Sequence, residues 1–242
     1  MQADTSTPAP APSSGGLTLA HSSDLHIGGR SRPGEELASL RAVLEAAAEA
    51  RAQALILAGD VFDSHRAPAP VVAAAASMLA EAAIDVVILP GNHDPAIPDA
   101  VYRRDGMATV PNVHILGVTA GDTVRLPHLD LEVSGAPHTA YADMTPLLTG
   151  RVRTLRWHVV VAHGHWVTGP HDAHRGWLIH DDDLDAAGAD YIALGHWDVP
   201  QPAGRPGARA YYSGSPEVAR TVNVVRFSAD GVDVRRHPLR LG

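Results

Sequence analysis

The chain has 242 residues, of which 45% are hydrophobic and 19% charged, a composition typical of a globular protein with a substantial core. It has no cysteine, which excludes disulfide bonds and thiolate metal sites. The formal net charge of −8 argues against a broad basic groove for nucleic acid, although a cluster of metal-binding carboxylates would also contribute negative charge. No apolar run reaches the roughly 18 residues that a membrane-spanning helix needs, so we expect no such helix.

Residues 1–16 are rich in Pro, Ser, Thr and Ala without apolar periodicity, so we predict a disordered tail. They lack the basic start and the apolar segment of a secretory signal, and we therefore expect a cytoplasmic protein. Residues 17–242 show no repeat and no linker, and we predict that they form a single domain.

Strands and helices alternate in the first half of this region. We predict strands over 17–20, 54–58 and 84–89, a helix that starts near 33–36 and a second helix over 67–83. Crossover helices imply parallel strands and right-handed connections, which predicts an α/β fold. Further short elements suggest a sheet that becomes partly antiparallel: strands over 113–116, 123–126, 129–133, 157–162, 191–194, 222–227 and 232–236, and a helix over 181–187.

Side chains of the metal-ligand type follow five of these strands, at the point where each strand ends. They are Asp24 with His26, Asp60, Asn92 with His93, His163, and His196 with Asp198. Each block alone has a simpler explanation, because Asp and Asn are common in turns and a single histidine after a strand is often a surface residue. Five such blocks at one sheet edge favour a common site instead, because open α/β sheets bind ligands there.

The donor set limits the ion. Carboxylate, amide and imidazole groups without sulfur suit Mn²⁺, Fe²⁺ or Zn²⁺. Two ions about 3.5–4 Å apart can clamp a phosphoryl group and hold a hydroxide between them. Asp60 stands in the middle of the pattern, and its carboxylate could bridge two ions.

The same blocks resemble the signature of the calcineurin-like metallophosphoesterases over nearly the whole ordered chain: Asp24-x-His26, Gly59-Asp60-x-x-Asp63, Gly91-Asn92-His93-Asp94, His163 and Gly195-His196-x-Asp198. The resemblance implies a four-layer fold, in which two mixed β-sheets form a sandwich flanked by helices. It implies a first ion held by Asp24, His26, Asp60 and Asp198, and a second held by Asp60, Asn92, His163 and His196. His93 would protonate the leaving oxygen or stabilise the transition state, with Asp94 orienting it.

One residue departs from the family pattern, because Asp198 stands where the family usually has histidine. An aspartate oxygen can still bind a metal, with a shorter reach, so we expect the first site to persist with altered metal preference. The alternative is that the first ion is lost, leaving an impaired pseudoenzyme that binds a metal and a nucleotide or protein partner.

Two segments, Gly59-Asp60-Val61-Phe62-Asp63 and 193–196 followed by 212–216, are similar to bacterial SbcD-type DNA repair exonucleases. Those proteins carry a capping domain and a partner-binding region beyond the phosphoesterase core. The sequence ends at Gly242, and we expect neither in it, which weakens a nuclease role without excluding it.

The sequence therefore predicts a metal-dependent phosphoesterase with two divalent ions. We expect Mn²⁺ in preference to Fe²⁺ or Zn²⁺. It would hydrolyse a phosphodiester or a phosphomonoester by in-line attack of a metal-bound hydroxide, with nucleotides and DNA among the candidate substrates. His165 and Asp63 are candidate substrate contacts. Three tryptophans could stack on a base, Trp166, Trp177 and Trp197, but core packing or loop anchoring explains each at least as well. Five arginines could grip a phosphate, Arg30, Arg32, Arg103, Arg104 and Arg175, but an exposed role in solvent is the better explanation for most of them.

Overall fold

The computed structural model describes residues 16–29, 35–172 and 174–241, so all but the last residue of the tail predicted over 1–16 lies outside the described residues. The strands of the described residues are β1 (Leu17–Ser22), β2 (Ala54–Ala58), β3 (Asp85–Leu89), β4 (Val113–Ile115), β5 (Thr123–Leu126), β6 (Leu131–Gly135), β7 (Trp157–His163), β8 (His165–Trp166), β9 (Leu178–Ile179), β10 (Tyr191–Gly195), β11 (Gln201–Ala203), β12 (Ala210–Tyr212), β13 (Thr221–Ser228) and β14 (Gly231–Pro238). The helices are α1 (Ala38–Glu49), α2 (Ala69–Glu81), α3 (Asp181–Ala186) and α4 (Pro216–Ala219). None of the described helices combines the length and the apolar character needed to cross a membrane.

Most strands belong to two six-stranded mixed sheets. The first has the order β14-β13-β1-β2-β3-β4, in which β1 to β4 run parallel and β13 is antiparallel to both neighbours. The second has the order β11-β12-β10-β7-β6-β5, with four parallel strands in the middle and an antiparallel strand at each edge. The parallel succession that the sequence predicted for β1, β2 and β3 is confirmed.

The two sheets pack face to face and helices cover their outer faces. Leu19 and Ile56 of the first sheet share one apolar core with Val159 and Tyr191 of the second. Helices α1 and α2 bury their apolar stripes on the other face of the first sheet, and α3 packs through Leu184 on the other face of the second. The four-layer fold implied by the family resemblance is therefore confirmed.

The sequence did not predict the shortest elements. Strands β8, β9, β11 and β12 have only two or three residues each, which is too short for an alternating pattern to stand out. Strands β8 and β9 form a small separate sheet next to the second large one.

His21 is a buried histidine on β1 whose ring reaches across the sandwich to β10. Its Nδ1 atom is 2.8 Å from the hydroxyl oxygen of Tyr191. Burial lowers the pKa of His21 to about 3, although the backbone carbonyl of Leu194 opposes this. The core therefore holds a neutral imidazole, whereas the unfolded chain protonates the same group below about pH 6.5.

We expect this histidine to make the protein less stable in mild acid. The unfolded state takes up the extra proton, so the free energy of unfolding falls as the pH drops below about 6.5, by up to about 1.4 kcal/mol per pH unit. Urea unfolding of the wild type and of His21→Gln at pH 7.5, 6.0 and 5.0 measures this slope, which the variant should reduce. His128→Gln, whose side chain is 58% exposed, serves as control and keeps the wild-type slope. Equal slopes for all three proteins would contradict the prediction.

Candidate metal centre

The predicted ligands come together at one edge of the sandwich, where strands of both sheets end. Strands β1, β2 and β3 of the first sheet deliver Asp24, Asp60 and Asn92 just after their last residues. Strands β7 and β10 of the second sheet deliver His163 and His196. This corrects the expectation of a single sheet edge, because the five blocks meet across two sheets.

Several of these residues have left-handed backbone conformations. The φ angles are 55° for Asp24, 47° for His26, 52° for Asp60 and 91° for His196. The turns are pinned by backbone hydrogen bonds, since Asp24 N–H donates to the Gly59 carbonyl and His26 N–H to the Asp60 carbonyl, both at 3.0 Å. Such conformations cost energy for residues other than glycine and cluster at functional sites. Their concentration here supports a functional role for this edge.

The first group of donors consists of Asp24, His26 and Asp60, whose ligand atoms lie within 4.8 Å of one another. Burial raises the pKa of Asp24 to about 6, with a smaller contribution from the neighbouring Asp60 charge and against the opposing effect of His163. The Nδ1 atom of His26 is buried without a hydrogen-bond partner in the described residues. Two carboxylates this close repel each other, and a divalent cation would relieve that repulsion.

The second group consists of Asp60, His163 and His196, again with ligand atoms within 4.8 Å of one another. The Nδ1–H of His163 donates to the Ala58 carbonyl at 2.8 Å, which turns Nε2 toward the cleft. There Nε2 lies 3.1 Å from Asp60 Oδ2 and 3.0 Å from Asn92 Oδ1. A neutral imidazole cannot donate to both Ala58 and these oxygens, so the geometry calls for a proton or a cation at Nε2.

The pKa values reflect the same crowding. Burial alone would lower the pKa of His163, but the Asp60 and Asp24 carboxylates outweigh it and raise that pKa. The same interaction lowers the pKa of Asp60 in spite of its burial. Burial and the charge of His163 lower the pKa of His196 to about 3, which leaves its imidazole neutral and free to bind a metal.

Two glycines allow this close approach. A Cβ atom at Gly59, whose φ is 90°, would overlap the imidazole of His163. A Cβ atom at Gly91 would overlap the carboxylate of Asp60. Both positions therefore require glycine for the donors to lie as they do.

The donor set fits divalent metal ions. Asp60 belongs to both groups, and Asn92 Oδ1 lies 3.1 Å from His196 Nδ1 as well as 3.0 Å from His163 Nε2. Buried carboxylate, amide and imidazole donors without sulfur match Mn²⁺, Fe²⁺ and Zn²⁺. A bound cation would satisfy the crowded His163 nitrogen, and also the His26 nitrogen, which lacks a hydrogen bond among the described residues and lies 3.4 Å from Asp63 Oδ1.

His93 lies next to these groups and is exposed. Its backbone N–H donates to Asp60 Oδ1 at 2.9 Å, and its Nδ1 is 3.0 Å from the Asp63 carbonyl oxygen. Its ring stands edge-on to that of His26, with centroids 4.8 Å apart. His26, Asp63 and His93 form a third donor group, so Asp63 lies beside the centre, and its role as a substrate contact stays a prediction.

Asp94 does not orient His93, which corrects the expectation from the sequence. The buried carboxylate of Asp94 accepts hydrogen bonds from Phe62 N–H at 2.9 Å, Gly91 N–H at 2.8 Å and the Tyr102 hydroxyl at 2.5 Å. In the described residues no hydrogen bond joins it to His93. Asp94 instead ties the loop after β3 to the loop after β2, and this positions His93 and Asp60 only indirectly.

Asp198 also differs from the expectation. Its side chain is exposed, and the three donor groups found among the described residues do not include it. Its backbone carbonyl accepts a hydrogen bond from Ser215 N–H at 3.1 Å, which fixes the chain direction there. The structure therefore does not bring Asp198 to the first ion.

We expect Asp198→Ala to change little. Because the carboxylate lies in solvent, the variant should keep the metal content and should stay within about 3-fold of the wild-type kcat/KM. Asp24→Ala is the matched comparison, since Asp24 lies in the first donor group. Metal analysis and a phosphodiesterase assay measure both effects. A loss in Asp198→Ala as large as that in Asp24→Ala would contradict the placement of Asp198.

His165 lies beyond the donor groups rather than among them. Its Nε2 is 2.9 Å from Asp172 Oδ1, and its ring stands edge-on to Trp197 at 5.6 Å between centroids. It is buried and lies close to the second group, since it follows His163 by two residues and packs against the ring of Trp197, the residue after His196.

Sequence reasoning missed His138, which packs against His163 of the second group. Its Nε2 is 2.8 Å from the carbonyl oxygen of His163, and its ring packs against His163 and Trp177 at 5.6 and 5.3 Å. Burial lowers the pKa of His138 to about 4. The signal in the sequence was the same as for the ligands, a histidine shortly after a strand end, here the end of β6.

Comparison with known proteins places this centre in a family. A model of the calcineurin-like phosphoesterase family matches residues 17–200. The chain is 24% identical over 247 residues to the SbcD component of the SbcCD nuclease of Bacillus subtilis (strain 168), covering 83% of this chain and 61% of that protein. It is 37% identical over 114 residues to the corresponding SbcD component of Rhodobacter capsulatus, covering 42% and 27%. The chain thus spans less than two thirds of the length of these relatives.

Solved structures share the fold. The crystal structure of TT1561 of Thermus thermophilus matches with a TM-score of 0.61 and 11% identity, over 92% of this chain and 99% of that chain. A second solved structure matches with a TM-score of 0.60 and 11% identity, over 93% of this chain and all of that one. At this identity the likeness concerns the fold alone. The family match, which covers most of the sequence, carries the assignment: the chain belongs to the calcineurin-like phosphoesterases and is a metal-dependent phosphoester hydrolase.

Proposed function

We propose that this enzyme hydrolyses a phosphodiester or a phosphomonoester with two divalent metal ions. Asp60 carries the proposal, because its carboxylate belongs to two separate donor groups and can serve both ions. Asp24 and His26 would complete the first site, and Asn92, His163 and His196 the second. We propose Mn²⁺ as the native metal, on the mixed oxygen and nitrogen donors, and residues 17–242 as one catalytic domain.

The protein supplies positioning and proton transfer. Bound ions would supply Lewis-acid activation of water and offset the negative charge that develops on the phosphoryl oxygens. The Nδ1–H of His93 donates to the Asp63 carbonyl, which leaves the other ring nitrogen of this exposed side chain available for proton transfer. From there His93 can hold the proton that the leaving oxygen takes up.

Loss of the first ion was the alternative suggested by Asp198. Three donors remain at the first site without Asp198, and they include two buried carboxylates. Three protein ligands with open positions are sufficient for a catalytic metal, and this favours an active enzyme over a pseudoenzyme.

A DNA exonuclease is the second candidate, favoured by the two nuclease relatives. The nuclease activity in their names is that of the relatives, and this chain spans only part of their length. We propose a nucleotide or DNA as the class of substrate to test first. Salt-dependent binding of DNA would support the nuclease hypothesis.

The deciding experiment assays metal-stripped protein resupplied with Mn²⁺, Fe²⁺ or Zn²⁺ on bis-p-nitrophenyl phosphate and p-nitrophenyl phosphate. Bound metal is counted at the same time. We expect two ions per chain and turnover of at least one ester. One ion without turnover with any metal, in a folded protein, would overturn the proposal and favour the pseudoenzyme.

A further inference from the structure

A cavity of about 290 Å³ lies beside the metal centre, between the segment after β7 and the end of β10. Its lining includes His165, His171, Arg175, Trp197 and Gln201. This volume is at the lower end of the range of small-molecule sites, so the cavity suits one small ring system rather than a large ligand.

The cavity adjoins the metal centre, although its lining residues do not include the proposed ligands. His165 follows the proposed ligand His163 by two residues, and Trp197 directly follows His196. The rings of His163 and His196 are 5.2 Å apart, and those of His165 and Trp197 are 5.6 Å apart. A single small molecule could therefore place one group in the cavity and its phosphoryl group at the metal centre.

A buried carboxylate that the metal centre does not use holds the cavity in shape. Asp172 is 3% exposed and accepts from Thr168 N–H at 2.8 Å, while its Oδ1 lies 2.9 Å from His165 Nε2. The guanidinium of Arg175 approaches the same carboxylate at 3.6 Å. Because these contacts fix the walls before any ligand enters, little ordering is needed on binding.

The walls select the kind of ligand. The ring of Trp197 offers an aromatic surface, and the guanidinium of Arg175 lies 5.9 Å from its centroid. His171 and Gln201 offer polar groups for hydrogen bonds at the rim. The guanidinium of Arg175 is already paired with Asp172, which weakens its capacity to bind a second phosphate. A planar heterocycle has both the flat face and the polar edge that these walls match.

We propose that this cavity binds the nucleobase of the nucleotide whose phosphate lies at the metal centre. This rests on the proposed phosphoesterase function and deepens it, since it names the site that would recognise the base of a nucleotide substrate. The nucleotide can be free or can be the terminal unit of a nucleic-acid strand, because the recognised chemistry is the same.

The test compares two esters with the same leaving group, thymidine 5′-(p-nitrophenyl phosphate) and methyl p-nitrophenyl phosphate. We expect the wild type to prefer the thymidine ester by at least about 10-fold in kcat/KM, as one stacked base would give. Trp197→Leu and Arg175→Gln should lower this preference by at least about 5-fold and 3-fold. Because the readout is a ratio, general damage to the metal centre cancels.

Arg235→Gln is the control, since Arg235 is an exposed arginine of β14 that is paired with Asp233 and does not line the cavity. It should keep the wild-type preference. Equal kcat/KM values of the wild type for the two esters would overturn the cavity proposal and leave the phosphoesterase intact.

Failure of the phosphoesterase proposal looks different, because neither ester would then be hydrolysed with any metal. In that case calorimetric titration with thymidine 5′-phosphate and with methyl phosphate decides, and equal affinity overturns the cavity proposal. If short single-stranded oligodeoxynucleotides are also preferred over the methyl ester, the site binds the ends of strands. If only the thymidine ester is preferred, the site binds free nucleotides.

Discussion

Replacing His93 with glutamine is expected to lower kcat by about 10²- to 10⁴-fold, the usual contribution of a general acid or base. The side chain is exposed and the donor groups of the two proposed ions do not include it, so the metal content should not change. The backbone N–H of His93, which binds Asp60, is also kept in the variant. The loss should therefore appear in the chemical step rather than in metal binding.

The leaving group gives this prediction a sharper form. An alkoxide leaving group needs a proton in the transition state, whereas p-nitrophenolate needs much less assistance. The effect of His93→Gln should accordingly be larger on an alkyl phosphodiester than on the p-nitrophenyl ester. His128→Gln, an exposed histidine paired with Asp85, is the matched control and should behave as wild type. Equal losses on both esters would indicate that His93 stabilises charge instead of donating a proton.

Much of the metal centre could be predicted because its residues follow strand ends. The apolar runs before Asp60 and Asn92 have the length of buried strands, and helices separate them. Parallel strands then place their carboxyl ends at a common edge, whatever the details of packing. The sequence could not show that His163 and His196 come from a second sheet, because the packing of one sheet on another leaves no local pattern.

The predictions for Asp94 and Asp198 were wrong because each side-chain direction depends on local contacts. Asp94 adjoins His93 in sequence, but the three donors that hold its buried carboxylate turn it into the core while the neighbouring ring stays exposed. Asp198 lies two residues past His196, where the backbone at φ 91° redirects the chain. Side-chain direction after such a turn depends on contacts such as Ser215 N–H to the Asp198 carbonyl, which no spacing rule contains.

The cavity beside the metal centre could not be predicted from the sequence either. Its walls come from segments on either side of α3, and Asp172, the buried group that fixes them, lies in a loop without regular strands. A lone aspartate in such a segment is typical of a turn, and only its contact with His165 reveals a different role.

Replacing Asp60 with asparagine is expected to have the largest effect on function. Asparagine keeps the shape and an oxygen that can accept the His93 N–H, but it removes the charge shared by both donor groups. We expect kcat/KM to fall by at least about 1,000-fold, which corresponds to about 4 kcal/mol of transition-state stabilisation. Metal analysis should find fewer than two ions per chain. Asp99→Asn, an exposed aspartate on the loop after β3, is the control and should keep both.

Thermal unfolding supplies a readout that does not depend on activity. A ligand that binds only the folded state raises Tm by mass action, so Mn²⁺ should stabilise the wild type and stabilise Asp60→Asn much less. An unchanged Tm increase together with two bound ions would show that Asp60 does not bridge the sites.

The two donor groups also predict which ion survives in Asp60→Asn. Without the Asp60 charge, the first group keeps only Asp24 and His26, whereas the second keeps His163 and His196 with Asn92 between them. The second group then keeps three donors, whereas the first keeps only the two that follow β1, so we expect the remaining ion to occupy the second group. Adding His196→Gln to Asp60→Asn should then remove it, while adding Asp24→Asn should not. The reverse result would place the stronger site at Asp24 and His26 and would make Asp60 a ligand mainly of the second ion.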